Sequence, residues 1–224
     1  SLIPGLVGAA PIQNIGAYGV ELKDVFISCN TINIKDQTEK IFDEKDCLFG
    51  YRTSRFKTID KNIYILTSIK IRLTKKKHKY NISYGSVKEE ICNREINLES
   101  ISKAVIKIRK SKLPDTNTVG NCGSFFKNPV IKESKYFELK KKFPSISAFR
   151  VEKNQYKVSA AWLIEFLNYK GKSIGNVGFY KNQALVLINL GGATGKEILS
   201  LANKITSEVY STFEINLQPE VEIL

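Results

Sequence analysis

Apolar and polar residues alternate along three short segments in the first half of the chain, at positions 25–28, 31–34 and 63–73. An apolar residue at every second position, with many β-branched side chains, is typical of strands that bury one face of an antiparallel sheet. The pattern therefore predicts three strands in this part of the chain.

Helical spacing replaces this alternation further along the chain. Residues 98–110 carry apolar side chains every three or four positions and follow Asn97, a residue type that often begins helices. Residues 159–168 and 195–212 have similar spacing and flank a continuous apolar run at 183–189, which predicts two helices around a buried strand. Strands and helices without regular β-α-β alternation predict the α+β class.

A domain boundary is predicted near residue 112, because the helical pattern ends there, shortly before Pro114. We assign residues 1–112, completed by about 213–224, to a first domain that combines an antiparallel or mixed sheet with helices. Residues 113–212 then form a smaller α+β domain.

The composition limits the classes of protein to which the chain can belong. Hydrophobic residues make up 42% of its 224 positions, which is enough for a buried core. No apolar run approaches the roughly 18 to 20 residues that span a bilayer, so we predict no membrane insertion. The chain contains no Met and begins with Ser1, so we expect it to be a piece of a longer protein.

The net charge of +13 is compatible with binding to nucleic acid. The lysines are spread along the whole chain, however, and the dense run at 75–79 is typical of a solvated connection between strands. No segment has the pattern of a recognition helix or of a sheet with exposed aromatic residues, so nucleic-acid binding is disfavoured.

Four cysteines lie far apart without a Cys-x-x-Cys pair, and the chain has a single histidine. This pattern argues against a metal site and against a disulfide framework. It is typical of a protein in the reducing cytoplasm.

The segment 120–129, GNCGSFFKNP, presents the hydroxyl of Ser124 in a glycine-bounded turn beside Phe125 and Phe126. Because the two rings would exclude water, the serine could deliver a proton to a bound carbanion without a neighbouring histidine. The alternative is an ordinary turn before a strand.

Residues 1–19 are rich in glycine, alanine and proline. Backbone N–H groups in such turns suit phosphate oxygens or the edge of a flavin ring. The segment does not match the Gly-x-Gly-x-x-Gly fingerprint, so a Rossmann-type dinucleotide site is unsupported. The alternative is a tightly packed loop between domains.

Three charged residues are further candidates for a site that binds an anion. Arg52 lies between aromatic residues, where a guanidinium could bind a carboxylate or an enolate; the alternative is a surface arginine stacked on Tyr51. Lys112 lies at a predicted helix end and could reach the same anion. Glu220 follows a proline in a C-terminal strand segment, where an apolar environment would suit its carboxyl group to donate a hydrogen bond.

Several segments, taken in order along the chain, resemble the UDP-N-acetylenolpyruvoylglucosamine reductases, the MurB family of flavoenzymes, and in particular its longer type I branch. They are IPG at 3–5 with PIQNIGAYG at 11–19, GYRTS at 50–54, KLP at 112–114, GNCGSFFKNP at 120–129 and PEV at 219–221. Each segment alone is a weak signal, but their ordered conjunction is highly specific.

The resemblance implies an enzyme of peptidoglycan synthesis that uses FAD and NADPH to reduce UDP-N-acetylglucosamine enolpyruvate to UDP-N-acetylmuramate. It implies that Ser124 protonates C2 of the substrate after a hydride reaches C3, and that Arg52 and Glu220 stabilise the enolic intermediate. The family's N-terminal FAD-binding domain has no counterpart in this sequence, so we expect the chain to hold FAD weakly, if at all. We further expect a cytoplasmic monomer.

The resemblance also implies binding residues for the substrate and the flavin. The residues expected to contact the substrate are Lys112, Asn128, Tyr84, Lys170 and Gln183, the last two near its UDP moiety. The residues expected to line the flavin are Gln13, Asn14, Gly16 and Tyr18. The resemblance further implies that the first predicted domain is the flavin and catalytic domain and that the second, residues 113–212, is the substrate-binding domain.

Two alternatives of other classes remain open at this point. The chain could act only as a UDP-sugar or nucleotide-binding module with idle catalytic residues. It could also be a basic nucleic-acid binder, although the spread of the lysines disfavours this class.

Overall fold

The computed structural model describes residues 1–83, 86–92 and 94–223. Contacts divide the chain into two compact units, Ser1–Arg109 and Lys110–Leu224. Among the described residues, no helix combines the length and the apolar character that a membrane span requires.

The first unit is built around a small antiparallel sheet. Its elements are β1 (Gly16–Ala17), β2 (Val20–Glu21), β3 (Phe26–Asn33), β4 (Glu39–Asp43), β5 (Tyr64–Ile71) and the helices α1 (Val87–Ile91) and α2 (Leu98–Lys112), which ends in the second unit. Strand β3 pairs with β4 on one side and with β5 on the other, which gives the order β4-β3-β5. Strands β1 and β2 form a separate short hairpin.

The two strands predicted at 25–28 and 31–34 are one continuous strand, β3. A β-bulge between Phe26 and Ser28 changes the alternation, so that Phe26 and Cys29, three residues apart, are both buried. The apolar pattern therefore looks like two short runs although the strand is unbroken.

Aromatic rings fill the core beneath this sheet. Phe42 is completely buried and contacts Phe56 and Tyr64 edge to face, with ring centroids 5.2 and 5.0 Å away. A second cluster packs α1 against α2, and the partly buried ring of Tyr18 lies against it. These two clusters position the segments between them, residues 12–22 and 50–57.

The second unit contains two antiparallel sheets and three helices among its described residues. Its elements are β6 (Gly120–Ser124), β7 (Val130–Lys132), α3 (Glu133–Lys142), β8 (Ala148–Glu152), β9 (Gln155–Val158), α4 (Ala160–Phe166), β10 (Ser173–Ile174), β11 (Val177–Tyr180), β12 (Gln183–Asn189) and α5 (Gly195–Phe213). The sheet orders are β10-β11-β12-β6 and β7-β9-β8.

Helix α5 covers the core of this unit, and its boundaries follow from the sequence. Thr194 and Glu197 form a capping box, because the N–H group of each residue donates to the side chain of the other. Four side chains spaced four residues apart then face the core: Leu201, Ile205, Val209 and Phe213. The predicted helix at 195–212 and the predicted strand at 183–189 are both present.

The α+β class is confirmed, but the second compact unit differs from the predicted smaller domain at its C-terminal end. Residues 213–224 were assigned to the first domain, whereas the contacts place them in the second unit. Ile215 and Leu217 are buried in the core of that unit, and Pro219 forms a bridge with Phe126. The assignment of a flavin domain and a substrate domain stays a prediction.

Candidate active site

Ser124 and Glu220, distant in sequence, lie on neighbouring backbone segments of the second unit. Strand β6 ends at Ser124, which pairs with Val186 in β12. The next residue, Phe125, accepts a hydrogen bond from the Glu220 N–H group at 2.8 Å. A second hydrogen bond, from the Lys127 N–H group to the Gln218 carbonyl at 2.9 Å, continues this pairing. The fold therefore brings the backbones of two of the three predicted catalytic residues close to each other.

Two buried rings anchor this pairing. Phe125 and Phe126 are 3% and 1% exposed and contact each other edge to face at 5.0 Å. Ser124, just before them, is only partly buried. Among the described residues, none hydrogen-bonds its hydroxyl group. The hydroxyl is therefore not engaged by the part of the chain that the structure describes, and its role as a proton donor stays a prediction.

The segment before Ser124, predicted to be a turn, is part of strand β6, and its conformation depends on a glycine. Gly123 has a φ of 74°, in the left-handed region that favours glycine. Its N–H group donates to the side-chain oxygen of Asn121 at 3.0 Å, and the amide nitrogen of Asn121 donates to the Val119 carbonyl at 2.9 Å. The Asn121 side chain therefore fixes the backbone conformation of the residues just before Ser124.

Asn128 links the same segment to helix α4. Its side-chain oxygen accepts a hydrogen bond from the Ala160 N–H group at 2.9 Å, at the first residue of that helix. Its amide nitrogen has no hydrogen-bond partner among the described residues. The oxygen thus orients the amide group and leaves its donor side for a ligand.

Three other residues of this unit are predicted to contact the substrate, and each has a different environment. Gln183 begins β12, and its side-chain oxygen accepts from the Leu185 N–H group at 3.3 Å. Lys170 forms an ion pair with Glu165 at 2.8 Å. Lys112 is exposed at the end of α2. Tyr84, also predicted to contact the substrate, lies outside the described residues.

Arg52 lies in the first unit, in a tight turn between Gly50 and Thr53. The backbone groups of Gly50 and Thr53 bond each other reciprocally at 3.1 and 3.4 Å, and Arg52 has a left-handed φ of 52°. Its guanidinium donates to the Gly16 carbonyl at 2.7 Å and lies over the Tyr51 ring, 5.3 Å from the centroid. Its side chain is 18% exposed. Arg52 therefore stacks on Tyr51, but its side chain is largely buried and is not that of a surface arginine.

The turn that carries Arg52 is bound to the predicted flavin loop by side-chain hydrogen bonds. Ser54 donates to the Ile12 carbonyl at 2.7 Å, and Lys57 donates to the Gln13 side chain at 2.9 Å. Asn14 donates to the Gly50 carbonyl at 3.0 Å. Two of the segments that carry the family resemblance therefore form one structural assembly.

Asn14 is the centre of this assembly and is completely buried. Besides Gly50, its amide nitrogen donates to Glu21 at 3.0 Å, and its oxygen accepts from the Lys23 N–H group at 3.0 Å. Its φ of 48° lies in the left-handed region, which asparagine tolerates better than most residues. The geometry indicates that Asn14 shapes the loop through its side chain.

We expect Asn14→Asp to lower the free energy of unfolding by about 2 kcal/mol. The substitution keeps the size and the backbone preference, but it removes both donors and places a carboxylate beside Glu21. Urea unfolding measures the effect. The matched control is Asn62→Asp, at an exposed asparagine with a φ of 61°. Equal shifts for the two variants would contradict the structural role of Asn14.

An apolar cleft of about 400 Å³ opens within the first unit, between the β1-β2 hairpin and α2. Gly16 and Tyr18, two of the four predicted flavin residues, line it. Arg109 lines it as well, and its buried Nε atom has no hydrogen-bond partner within residues 1–83, 86–92 and 94–223. Its Nη2 atom donates to the Leu2 carbonyl at 3.1 Å.

Sequence reasoning missed Arg109 and Glu21. Arg109 follows Ile101 and Val105 at intervals of four residues on α2, so it lies on the face that the apolar residues define. This spacing could have identified Arg109 from the sequence. No local pattern in the sequence indicates Glu21, because only the fold brings it next to its partners Asn14 and Arg52.

Known proteins of one family match this chain over its whole length. The family model "UDP-N-acetylenolpyruvoylglucosamine reductase, C-terminal domain" matches residues 114–224. A UDP-N-acetylenolpyruvoylglucosamine reductase from Flavobacterium johnsoniae is 49% identical over 227 residues, which cover 100% of this chain and 67% of the relative. One from Bdellovibrio bacteriovorus is 41% identical and is matched by 98% of this chain over 66% of its own length. The chain thus spans about two thirds of the length of these curated relatives.

A solved structure supports the fold. The crystal structure of UDP-N-acetylenolpyruvylglucosamine reductase (MurB) from Thermus caldophilus matches with a TM-score of 0.63 at 22% identity, covering 99% of this chain and 61% of the other. At this identity the match concerns the fold alone. The extent and identity of the sequence matches nevertheless show that the chain belongs to the UDP-N-acetylenolpyruvoylglucosamine reductase family.

Proposed function

We propose that this chain forms the catalytic part of an enzyme that reduces UDP-N-acetylglucosamine enolpyruvate to UDP-N-acetylmuramate in peptidoglycan synthesis, with FAD and NADPH. The main support is the hydrogen bond from the Glu220 N–H group to the Phe125 carbonyl. In a chain of this family, this backbone pairing supports the proposal because it brings the Glu220 backbone next to the segment that carries Ser124.

The reaction saturates a carbon–carbon double bond, so the substrate must gain a hydride at C3 and a proton at C2. When bound, FAD supplies the redox chemistry by taking a hydride from NADPH and passing it to C3. The protein must then stabilise negative charge on the neighbouring carboxylate and provide the proton.

Ser124 is the proposed proton donor to C2. A serine hydroxyl is a weak acid in water, but it can protonate a much more basic carbanion in a site that excludes water. Phe125 and Phe126, the two residues that follow Ser124 in the chain, are buried and apolar. The absence of a hydrogen-bond partner among the described residues leaves the hydroxyl available for this role.

Arg52 and Glu220 are proposed to stabilise the enolic intermediate through the substrate carboxylate. A guanidinium presents a planar set of donors that matches a carboxylate. A protonated Glu220 would add a further donor, as an acid beside a developing charge can. Lys112, Asn128, Tyr84, Lys170 and Gln183 are the proposed contacts to the rest of the substrate.

The cleft of the first unit has features that suit a flavin ring. Its volume of about 400 Å³ lies within the usual range of ligand sites, and its walls are mostly apolar. Arg109 Nε is a buried donor that no residue in the described part of the chain satisfies, and such a donor is costly unless a ligand bonds it. We propose that Gly16, Tyr18 and Arg109 contact the ring, while Gln13 and Asn14 hold the loop in shape.

The test uses the full-length protein under anaerobic conditions. Addition of NADPH should bleach the flavin absorbance, and addition of UDP-N-acetylglucosamine enolpyruvate should restore it with formation of UDP-N-acetylmuramate. Substrate binding without flavin reoxidation would favour the alternative, a UDP-sugar-binding module, and would refute the reductase. Salt-sensitive binding to duplex DNA would favour a nucleic-acid binder.

We expect Arg52→Lys to slow flavin reoxidation by substrate roughly 10- to 100-fold, because an ammonium group cannot reproduce the planar pair of donors. The NADPH-dependent step should change little. Stopped-flow measurement of the two half-reactions separates these effects. Arg94→Lys, at an exposed arginine paired with Glu90, is the control. An unaltered reoxidation rate for Arg52→Lys would contradict the proposed role.

A further inference from the structure

We propose that Glu21 is a positioning residue that holds the Arg52 guanidinium in the orientation needed to bind the substrate carboxylate. The inference rests on the proposed function of Arg52. It assigns to Glu21 a role in the reaction that is exerted through Arg52, without contact to the substrate.

The two carboxylate oxygens of Glu21 have different partners. One, Oε2, accepts a hydrogen bond from the Asn14 amide at 3.0 Å and lies 3.2 Å from the Lys23 ammonium. The other, Oε1, lies 3.9 Å from Nη1 of Arg52. This distance is too long for a hydrogen bond, so Glu21 acts on Arg52 through charge attraction.

At least two contacts therefore restrain the guanidinium of Arg52. Its Nη2 atom donates to the Gly16 carbonyl at 2.7 Å, and its Nη1 atom faces the Glu21 carboxylate. The side chains of Arg52 and Glu21 are only 18% and 24% exposed, so water screens their attraction less than on an open surface. An arginine side chain otherwise samples many rotamers, and restraint in advance lowers the entropy lost when a carboxylate binds.

Gly16 allows the side chains of Glu21 and Arg52 to lie close together. A Cβ atom at this position would lie 2.8 Å from Cγ of Glu21 and 3.2 Å from Nη1 of Arg52. Gly16 also pairs directly with Glu21 in the β1-β2 hairpin. The hairpin register and the missing side chain thus place the carboxylate beside the guanidinium.

Asn14 fixes the carboxylate from the other side. Its amide nitrogen donates both to Glu21 and to the Gly50 carbonyl, at the start of the turn that carries Arg52. One buried amide therefore sets the positions of both partners. A shared network of this kind is expected where a guanidinium is held in one orientation, and an isolated surface ion pair does not require it.

The test is a double-mutant cycle in the full-length enzyme, with Glu21→Gln, Arg52→Ala and the double variant. Stopped-flow absorbance measures flavin reduction by NADPH and flavin reoxidation by substrate. If Glu21 acts through Arg52, Glu21→Gln slows reoxidation about tenfold in the presence of Arg52 and less than about twofold in the Arg52→Ala background. Flavin reduction should stay within about twofold in all variants.

The matched control is Glu39→Gln, the same substitution at an exposed position of β4. This variant should leave the reoxidation rate nearly unchanged. Glu21→Asp, which keeps the charge, should recover part of the rate lost in Glu21→Gln.

The possible outcomes distinguish the inference from the function on which it rests. Equal effects of Glu21→Gln with and without Arg52, or equal slowing of both half-reactions, would overturn the positioning role and leave the proposed function intact. Normal reoxidation in Arg52→Ala would refute the proposed role of Arg52 and the inference with it.

Discussion

Replacement of Ser124 by alanine should slow flavin reoxidation by substrate about 10²- to 10⁴-fold in the full-length enzyme, the range expected for loss of a general acid. Flavin reduction by NADPH should stay nearly intact, because only the second half-reaction needs a proton at C2. Stopped-flow absorbance separates the two steps, and the fold should tolerate the change because no described residue hydrogen-bonds the hydroxyl.

A nearby control makes the Ser124 result specific. Cys122→Ala changes a side chain two positions earlier in β6 and should leave both half-reactions close to those of the parent enzyme. Loss of both half-reactions in Ser124→Ala to the same extent would mean that the serine has a structural role. Near-normal reoxidation in that variant would remove Ser124 as the proton donor.

Truncation of Phe213 to alanine should lower the free energy of unfolding by about 3–5 kcal/mol. Phe213 is completely buried at the end of α5, and its ring centroid lies 4.9 Å from that of Phe143 and 5.5 Å from that of Phe166. The surrounding rings cannot close the cavity without leaving their contacts, so both burial and packing are lost.

Urea unfolding followed by tryptophan fluorescence measures this effect, because Trp162 lies 5.8 Å from Phe213 in the same core. Phe137→Ala is the matched control, since that ring is 51% exposed. It should cost less than about 1 kcal/mol. Similar midpoints for the two variants would show that Phe213 is not central to the core.

The helices and the buried strand of the second unit could be predicted because their signals are local. Helix α5 has a capping box at its start and an apolar face with helical spacing, both visible in the sequence. Strand β12 has a continuous apolar run. Strand β3 was divided wrongly, because the bulge after Phe26 changes which residues face the core.

The C-terminal segment is where the compact units differ most from the predicted division into domains. Residues 213–224 join the second unit through buried Ile215 and Leu217 and through the bridge between Phe126 and Pro219. These contacts link segments that are distant along the chain. A local apolar pattern identifies a strand but does not identify its partner.

By itself, the sequence determined the α+β class, the principal helices, the family and the candidate residues Ser124, Arg52 and Glu220. Periodicity and ordered motifs are properties of local sequence, so they are readable without coordinates. The tertiary structure alone decided that Glu220 pairs beside Ser124, and that Asn14 and Glu21 surround Arg52. These contacts depend on strand register and on burial of distant residues against one another, and no local pattern encodes either.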